Sequence, residues 1–473
     1  MNAFKIPQWI KKLLFTEYMV KPDMRHGDIP TSKEAYSNSL RIALPSVAEM
    51  VSLALMGMID MIMVGNLGEE AVAAVGLTGQ PRMLVLAVFF ALNIAVTAIV
   101  ARNKGSGDME AARSCMRHAM VIVAVLGTIA AVLSFWLSHP LMVLAGAQAD
   151  TIGWASSYFR IISIALPAQI LTGTICAAQR ACGNTKITLK VNVVARVLSV
   201  ILNLLLIEGR LGFPRLEVDG AAWSAVISAF VAFFLALMSV LNRDSLLRIS
   251  RHDNWRFQMP MLKSIGRLTS GGMFEQVALR FGFFAYARII AGLGTADFAA
   301  HMIAMQLMML SFTFADGISA ATTSLVGQTL GQKRPDLSIM YGKIGMRMAL
   351  VCAALLSATV ILTRYPFALL FASDPDIVST AATLILILAA VMPIQTSQLV
   401  MGGSLRGAGD TRYVALTMLI TVGILRPGLG FLFTFPLGLG LAGAWIAMVF
   451  DQLVRLIMLF TRFVRGKWIE VKI

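Results

Sequence analysis

Among the acidic residues inside stretches that are otherwise apolar are Glu49, Asp60, Glu275 and Asp316. A charge at the centre of a bilayer costs at least about 2.5–3.5 kcal/mol, so an ionisable residue there faces a partner or a wet cavity and marks a functional site by default. A carboxylate in a low-dielectric setting favours its neutral form. A proton, a Na⁺ ion or a cationic organic molecule each relieves it, and competition among them is the chemistry of an antiporter. Glu49 and Asp60 lie 11 residues apart, as do Glu275 and Tyr286. Eleven residues are close to three helical turns, so each pair shares a face. The alternatives are structural: a hydrogen bond for Glu49 or Glu275, a pair with Arg280 for Glu275, an outward snorkel for Asp60. Asp316, in "FTFADGIS", stays open between a cavity role and a helix–helix hydrogen bond.

Other polar groups fall in the same kind of stretch. Asn192, Arg196 and Asn203 share one helix face, since steps of four and seven nearly complete turns. Arg196 is the natural partner for an acid in the N-terminal half, and Arg426 has a similar place in the C-terminal half. Asp451 and Arg455, four apart, are expected to pair with each other. Gln169 and Gln395 each follow a proline by two residues, in matching places, and are candidates to line a cavity along with Asn192, Arg196, Asn203, Arg280 and Tyr286. Pro45, Pro167 and Pro393 lie inside apolar runs, where proline removes a backbone hydrogen bond and kinks a helix; they are candidate hinges. The cysteines, Cys115, Cys176, Cys182 and Cys352, show no metal spacing and read as core fillers. No Walker loop, HExxH or GxSxG occurs. The chain is therefore expected to be no enzyme and to need no cofactor, with an ion gradient or a partner supplying energy.

The elements that must position these groups are membrane helices. Of 473 residues, 58% are hydrophobic and 14% charged, against about 25% charged in soluble proteins. Apolar runs at about 39–64, 78–101, 113–137, 155–179, 187–208, 219–242, 262–291, 303–327, 339–363, 377–404, 411–434 and 439–461 predict twelve spans. The net charge of +15 is spread over helix ends rather than gathered on a face, which argues against nucleic acid. Lys and Arg concentrate in the even-numbered loops and at both ends, and the positive-inside rule then puts both termini in the cytoplasm of a cell-membrane protein. "FKIPQWIKKLLF", Phe4 to Phe15, reads as an amphipathic helix on the membrane surface, or as a plain tail. The predicted division is 1–38 N-terminal segment, 39–242 N-lobe, 243–261 linker, 262–461 C-lobe and 462–473 tail.

The chain also repeats itself at an offset of 226. Glu49 maps to Glu275, Leu67-Gly68 to Leu293-Gly294, Gln80 to Gln306, Thr97 to Thr323, and Arg180, Gly183 and Thr185 to Arg406, Gly409 and Thr411. Each half holds six spans, so both enter the membrane the same way. Parallel repeats of this kind are a transporter architecture with a central cavity and rocking-type alternating access.

With these features in place, "ALPSVAEMVSLALMGMIDMIMVGNLG", "FEQVALRFGFFAYARIIAGLGTADFAAH", "ATTSLVGQTLG", "GGSLRGAGDT" and "AWIAMVFDQLVR" resemble the MATE (multidrug and toxic compound extrusion) transporters over about residues 36–468. The resemblance implies an all-α integral membrane fold of twelve helices in two pseudo-symmetric six-helix lobes forming a V. It also implies export of amphipathic, often cationic compounds in exchange for Na⁺ or H⁺. The family's first-helix acid matches Asp60, and the seventh-helix glutamate of NorM-type members matches Glu275. The tenth-helix aspartate falls on Gln395; the fifth-helix aspartate of DinF-type members falls on Ile207, with Glu208 one place off. Neither subgroup's ion site is matched in full, so a Na⁺ ion at Glu275 or Asp60 and a proton both stay open. The expected setting is a monomer in a lipid bilayer. The rivals are a flippase of the same superfamily carrying a lipid-linked or anionic cargo, and a channel or non-transporting membrane protein.

Overall fold

The computed structural model describes residues 15–250, 253, 255–372 and 374–471. The amphipathic helix expected at Phe4–Phe15 falls, apart from Phe15, outside the described residues. Among those residues the chain is helical, with no strand. In chain order the helices are α1 (Ser32–Gly65), α2 (Glu69–Ser106), α3 (Met109–Trp136), α4 (Ser138–Leu144), α5 (Ile152–Ile164), α6 (Leu166–Ala181), α7 (Thr185–Leu206), α8 (Glu217–Leu241), α9 (Met259–Ala291), α10 (Thr295–Gly331), α11 (Pro335–Leu369), α12 (Pro375–Gly407), α13 (Thr411–Met418), α14 (Arg426–Thr434) and α15 (Gly440–Val464). Nine of them and the stretch Thr411–Thr434 that contains α13 and α14, or eleven spans counting α5 and α6 as one bent span, are long and apolar enough to cross a membrane. The twelfth expected span, α9, is 33 residues long but carries Lys263, Arg267, Glu275, Arg280 and Arg288, which lower its hydropathy.

Two expected spans are interrupted where the sequence weakens the helix, those at 155–179 and 411–434. The run at 155–179 bends by 49° between α5 and α6, because Pro167 has no N–H to continue the ladder. The run at 411–434 contains a π-helical turn, Leu419–Leu425, between α13 and α14. Pro427, two residues beyond its end, withholds a backbone donor. The run at 113–137 ends at Trp136, and the short α4 follows. Pro45 and Pro393 lie within α1 and α12. Most other helices extend past the apolar runs, since backbone hydrogen bonding continues into polar ends.

The helices form two compact units. The N-terminal unit holds residues 48–104 and 108–269, and the C-terminal unit holds the rest. In the first, α8 packs on α5, α6 and α7, and α3 on α5 and α6. In the second, α12 packs on α10, α11 and α15. The repeat is written into the backbone. Gly68 and Gly294, preceding or capping the second helix of each half, have φ of 114° and 115°. Gly183 and Gly409 have φ of 79° and 89°. Only glycine adopts these values without strain.

The α10–α12 contact rests on small residues, as membrane helix pairs do. Gly403 and Gly407 face Ser319 and Thr323. The Thr323 hydroxyl donates to the Gly403 carbonyl at 2.9 Å, and Ser319 donates to the Leu399 carbonyl at 3.0 Å. A methyl at position 407 would land on the Thr323 carbonyl, whereas one at Gly57 meets open space. Gly407→Ala is therefore expected to lose about 1–3 kcal/mol by overpacking. Thermal melting in detergent checks this: the midpoint should fall for Gly407→Ala and not for Gly57→Ala.

Candidate functional site

In the N-terminal unit, α1 presents Glu49 and Asp60 to α7. Glu49 is only 1% exposed. Its Oε1 accepts from Arg180 Nη1 at 2.8 Å and Asn192 Nδ2 at 2.8 Å, and its Oε2 accepts from Thr188 Oγ1 at 2.7 Å. Thr188 and Asn192 are one turn apart on α7, and Arg180 ends α6. A charge-assisted set of this kind satisfies the carboxylate fully. Three turns further along α1, Asp60 is held more loosely. Its Oδ1 accepts from Asn203 Nδ2 at 2.7 Å, while Arg196 Nη1 stands 3.8 Å from Oδ2. Asn203 is fixed in turn by the Ser224 hydroxyl, which donates to its carbonyl oxygen. The Asp60 side chain is 28% exposed.

In the C-terminal unit, Glu275 pairs with Arg406 rather than with Arg280. Arg406 Nη2 lies 3.0 Å from Oε1 and Nε 3.4 Å from Oε2, and the glutamate is 3% exposed. Arg280 is partly buried, and among the described residues its Nε has no hydrogen-bond partner. The two acid–arginine pairs are themselves repeat mates, Glu49–Arg180 and Glu275–Arg406. The rest of the α7 stripe is not repeated: Thr188, Asn192, Arg196 and Asn203 map onto Val414, Met418, Val422 and Leu429. The same scaffold thus carries a polar stripe in one unit and an apolar one in the other. Asp316 is exposed on α10.

Several expected cavity residues are placed otherwise. Tyr286 is sealed in the core: its hydroxyl donates to the Ala444 carbonyl at 2.9 Å, and its ring meets His301 edge-on at 5.8 Å. Its phenol ring and the 11-residue spacing gave it the right face, but that face is covered by α15. Gln395 is fully buried, with Nε2 reaching the Met308 carbonyl at 3.4 Å. Gln169 accepts from Arg82 Nη2 at 2.9 Å, a partner the sequence reading passed over. Asp451 does pair with Arg455, at 2.8 Å, and also with Arg426, so two arginines share one acid. Arg180, Thr188 and Arg406 were missed as partners. The signal was present, since Arg180 and Arg406 match in the repeat, but they read as loop charges that orient helices. Among the described residues no group of three or more His, Cys, Asp and Glu is placed to hold a metal ion.

The MatE family model matches residues 45–205 and again residues 273–432, once in each half. A probable multidrug resistance protein NorM of Thermotoga maritima is 26% identical over 457 residues, covering 96% of both chains. Multidrug resistance protein PmpM of Pseudomonas aeruginosa is 27% identical, covering 90% of this chain and 91% of its own. Among solved structures, a MOP superfamily transporter from Pyrococcus furiosus, described as having a binding pocket of reversed polarity, superimposes with a TM-score of 0.86 at 21% identity. That match covers 93% of this chain and 97% of the other. An outward-facing multidrug resistance MATE family transporter gives 0.84 at 21% identity, over 92% and 97%. With the family model covering more than half of its length, the chain belongs to the MATE family and is a multi-span membrane transporter, not an enzyme.

Proposed function

We propose that the protein is a secondary antiporter that exports amphipathic, cationic organic compounds from the cell in exchange for Na⁺ or H⁺, by rocking-type alternating access. The observation that carries this reading is the contrast between the acids of the first helix. Glu49 is fully hydrogen-bonded and sealed, whereas Asp60 is open and has one oxygen without a close donor. A carboxylate so placed takes a proton or a Na⁺ ion, and yields it when a cationic substrate or a change of exposure alters its surroundings. Glu275 exchanges an ion only when the Arg406 pair opens, and Asp316 is an exposed acid on α10 of the C-terminal unit. The relatives named for multidrug resistance support a drug-like cargo. Both termini are assigned to the cytoplasm by the distribution of Lys and Arg.

A second reading has its own observation. Arg82 is tied to an amide, with a buried Nε that has no hydrogen-bond partner, and the same is true of the Arg280 Nε. Guanidinium groups without a carboxylate suit an anionic cargo, as in a lipid or metabolite flippase.

Purified protein in liposomes decides between them. A fluorescent organic cation is expected to move against an imposed Na⁺ or H⁺ gradient. Asp60→Asn should reduce that movement at least tenfold with an unchanged melting temperature. Transport by Asp60→Asn at the wild-type rate would sink the assignment, and movement of an anionic dye alone would select the second reading. Glu275→Gln is the companion variant: if it transports like wild type, Glu275 has no part in exchange. The sealed pair should behave differently. Arg180→Gln leaves Glu49 buried without its counter-charge, and breaking a buried pair costs about 3–5 kcal/mol. Its melting temperature should drop, and Glu49→Gln in the same chain should recover most of the loss.

A further inference from the structure

The repeat extends beyond the spans. The offset of 226 carries residues 17–32, before α1, onto residues 243–258, before α9. Both segments are docked by the start of a helix in their own unit. Ahead of α1, Met19 and Val20 are buried in a cluster with Met340, Tyr341 and Ile344 of α11. Lys343 Nζ donates to the Met19 carbonyl at 2.6 Å, and Asp336 Oδ2 accepts the His26 N–H at 3.2 Å. Arg334 joins the Asp336 carboxylate to the Asp28 carbonyl, both at 2.8 Å. Ahead of α9, Leu247 and Ile249 are buried. Arg113 Nε donates to the Leu246 carbonyl at 3.1 Å, and Arg117 Nη1 pairs with Asp253 at 2.9 Å. The Gln258 N–H donates to His118 Nε2 at 2.9 Å.

Two of the docking residues, Arg117 and Lys343, are repeat mates as well. Glu110 maps onto Asp336, and Arg117 onto Lys343. In each unit an acid in the first turn of the receiving helix, α3 or α11, is followed seven residues later by a base. Seven residues are two turns, so acid and base share one face; Asp336, Lys343 and Arg117 reach the segment itself, while Glu110 pairs with Arg117. The helices that follow the segments are also treated alike. Residues 32–47 of α1 belong to the C-terminal unit and the remainder to the N-terminal unit; residues 259–269 of α9 belong to the N-terminal unit and the remainder to the C-terminal unit. The change comes just after Pro45 in α1 and just before Gly271 in α9, and 271 is the repeat mate of 45. Proline and glycine are the two residues that most weaken a helix.

We propose that the two segments are paired anchors, and that Asp336 and Arg117 are positioning residues for the transport cycle. They fix the inner ends of α1 and α9, so that these helices flex at Pro45 and Gly271, close to Glu49 and Glu275, instead of fraying from their ends. These ends also have buried residues of their own, Ala35, Ile42 and Ala43 on α1 and Ile265 and Leu268 on α9, and cutting the docked segment from such an end lowers the cost of opening it locally. The link to transport rests on the antiporter reading; the anchoring itself does not.

Hydrogen exchange on the purified full-length protein tests the anchors directly. Asp336→Ala should raise exchange at least tenfold over residues 32–44 and leave residues 48–65 unchanged. Arg117→Gln should do the same over residues 259–269. Asp336→Glu and Arg117→Lys should keep the wild-type pattern. In liposomes the two disruptive variants should lower Vmax at least fivefold, with KM for the dye within twofold, because the acids that meet cargo are untouched. Unchanged exchange at both inner ends overturns the proposal. So does a uniform rise across a unit, which marks ordinary loss of stability, and so does wild-type turnover despite loosened ends. If no gradient drives transport by the wild-type protein, the antiporter reading fails while the exchange data still decide whether the anchors exist.

Discussion

A buried carboxylate must find its counter-charge within its own unit, and the rest of the structure follows from how each unit does this. Glu49 and Glu275 are both held by an arginine 131 residues later, at the end of the fourth or tenth span. Such pairs add little net stability over apolar packing, because desolvation offsets most of the attraction. What they supply is registration. The α1–α6 and α9–α12 contacts are fixed to one arrangement, since a slip of a single turn would strand a charge. With Glu49 neutralised, α1 can carry a second acid, Asp60, that is held only by an amide and a distant guanidinium.

The units differ in the side chains set around these acids. Glu49 has three donors from two helices, while Glu275 has one arginine, because the mates of Thr188 and Asn192 are Val414 and Met418. The mate of Asp60 is Tyr286, a core residue bonded to a backbone carbonyl. The C-terminal unit moves its polar chemistry to Asp451, which gathers Arg426 and Arg455, and to a box where His301 meets Tyr286 and Trp445 edge-on. Asymmetry between pseudo-symmetric halves is thus a matter of a few side chains on α7 and its counterpart, not of the fold.

Much of this was legible in the sequence. Apolar runs located the helices because bilayer thickness sets a minimum length. The 226-residue offset revealed the repeat because turns that need a left-handed glycine, such as Gly68 and Gly183, keep it in both halves. Helical spacing placed Asn192, Arg196 and Asn203 on one face, and the structure brings that face to Glu49 and Asp60. Partnership was less legible. Arg180 and Arg406 stand at helix ends, where a basic residue has a ready explanation in topology, and nothing local tells a topogenic arginine from one folded back onto an acid. Tyr286 and Gln395 failed as cavity residues for a related reason: periodicity assigns a face, but only packing reveals whether another helix covers it. The bend at Pro167 was announced by its proline, whereas the π-helical turn at Leu419–Leu425 depends on a missing donor two residues beyond its end.

Each half contributes an even number of crossings, as the twelve helical stretches and the repeat require. That parity has an evolutionary consequence. A gene encoding one half could be duplicated and fused end to end with the second copy inserting in the same direction as the first. No re-patterning of flanking charges and no extra crossing is needed, unlike an odd-numbered ancestor, whose fused copy must enter upside down. From the first fused generation, each copy was free to lose what the other retained.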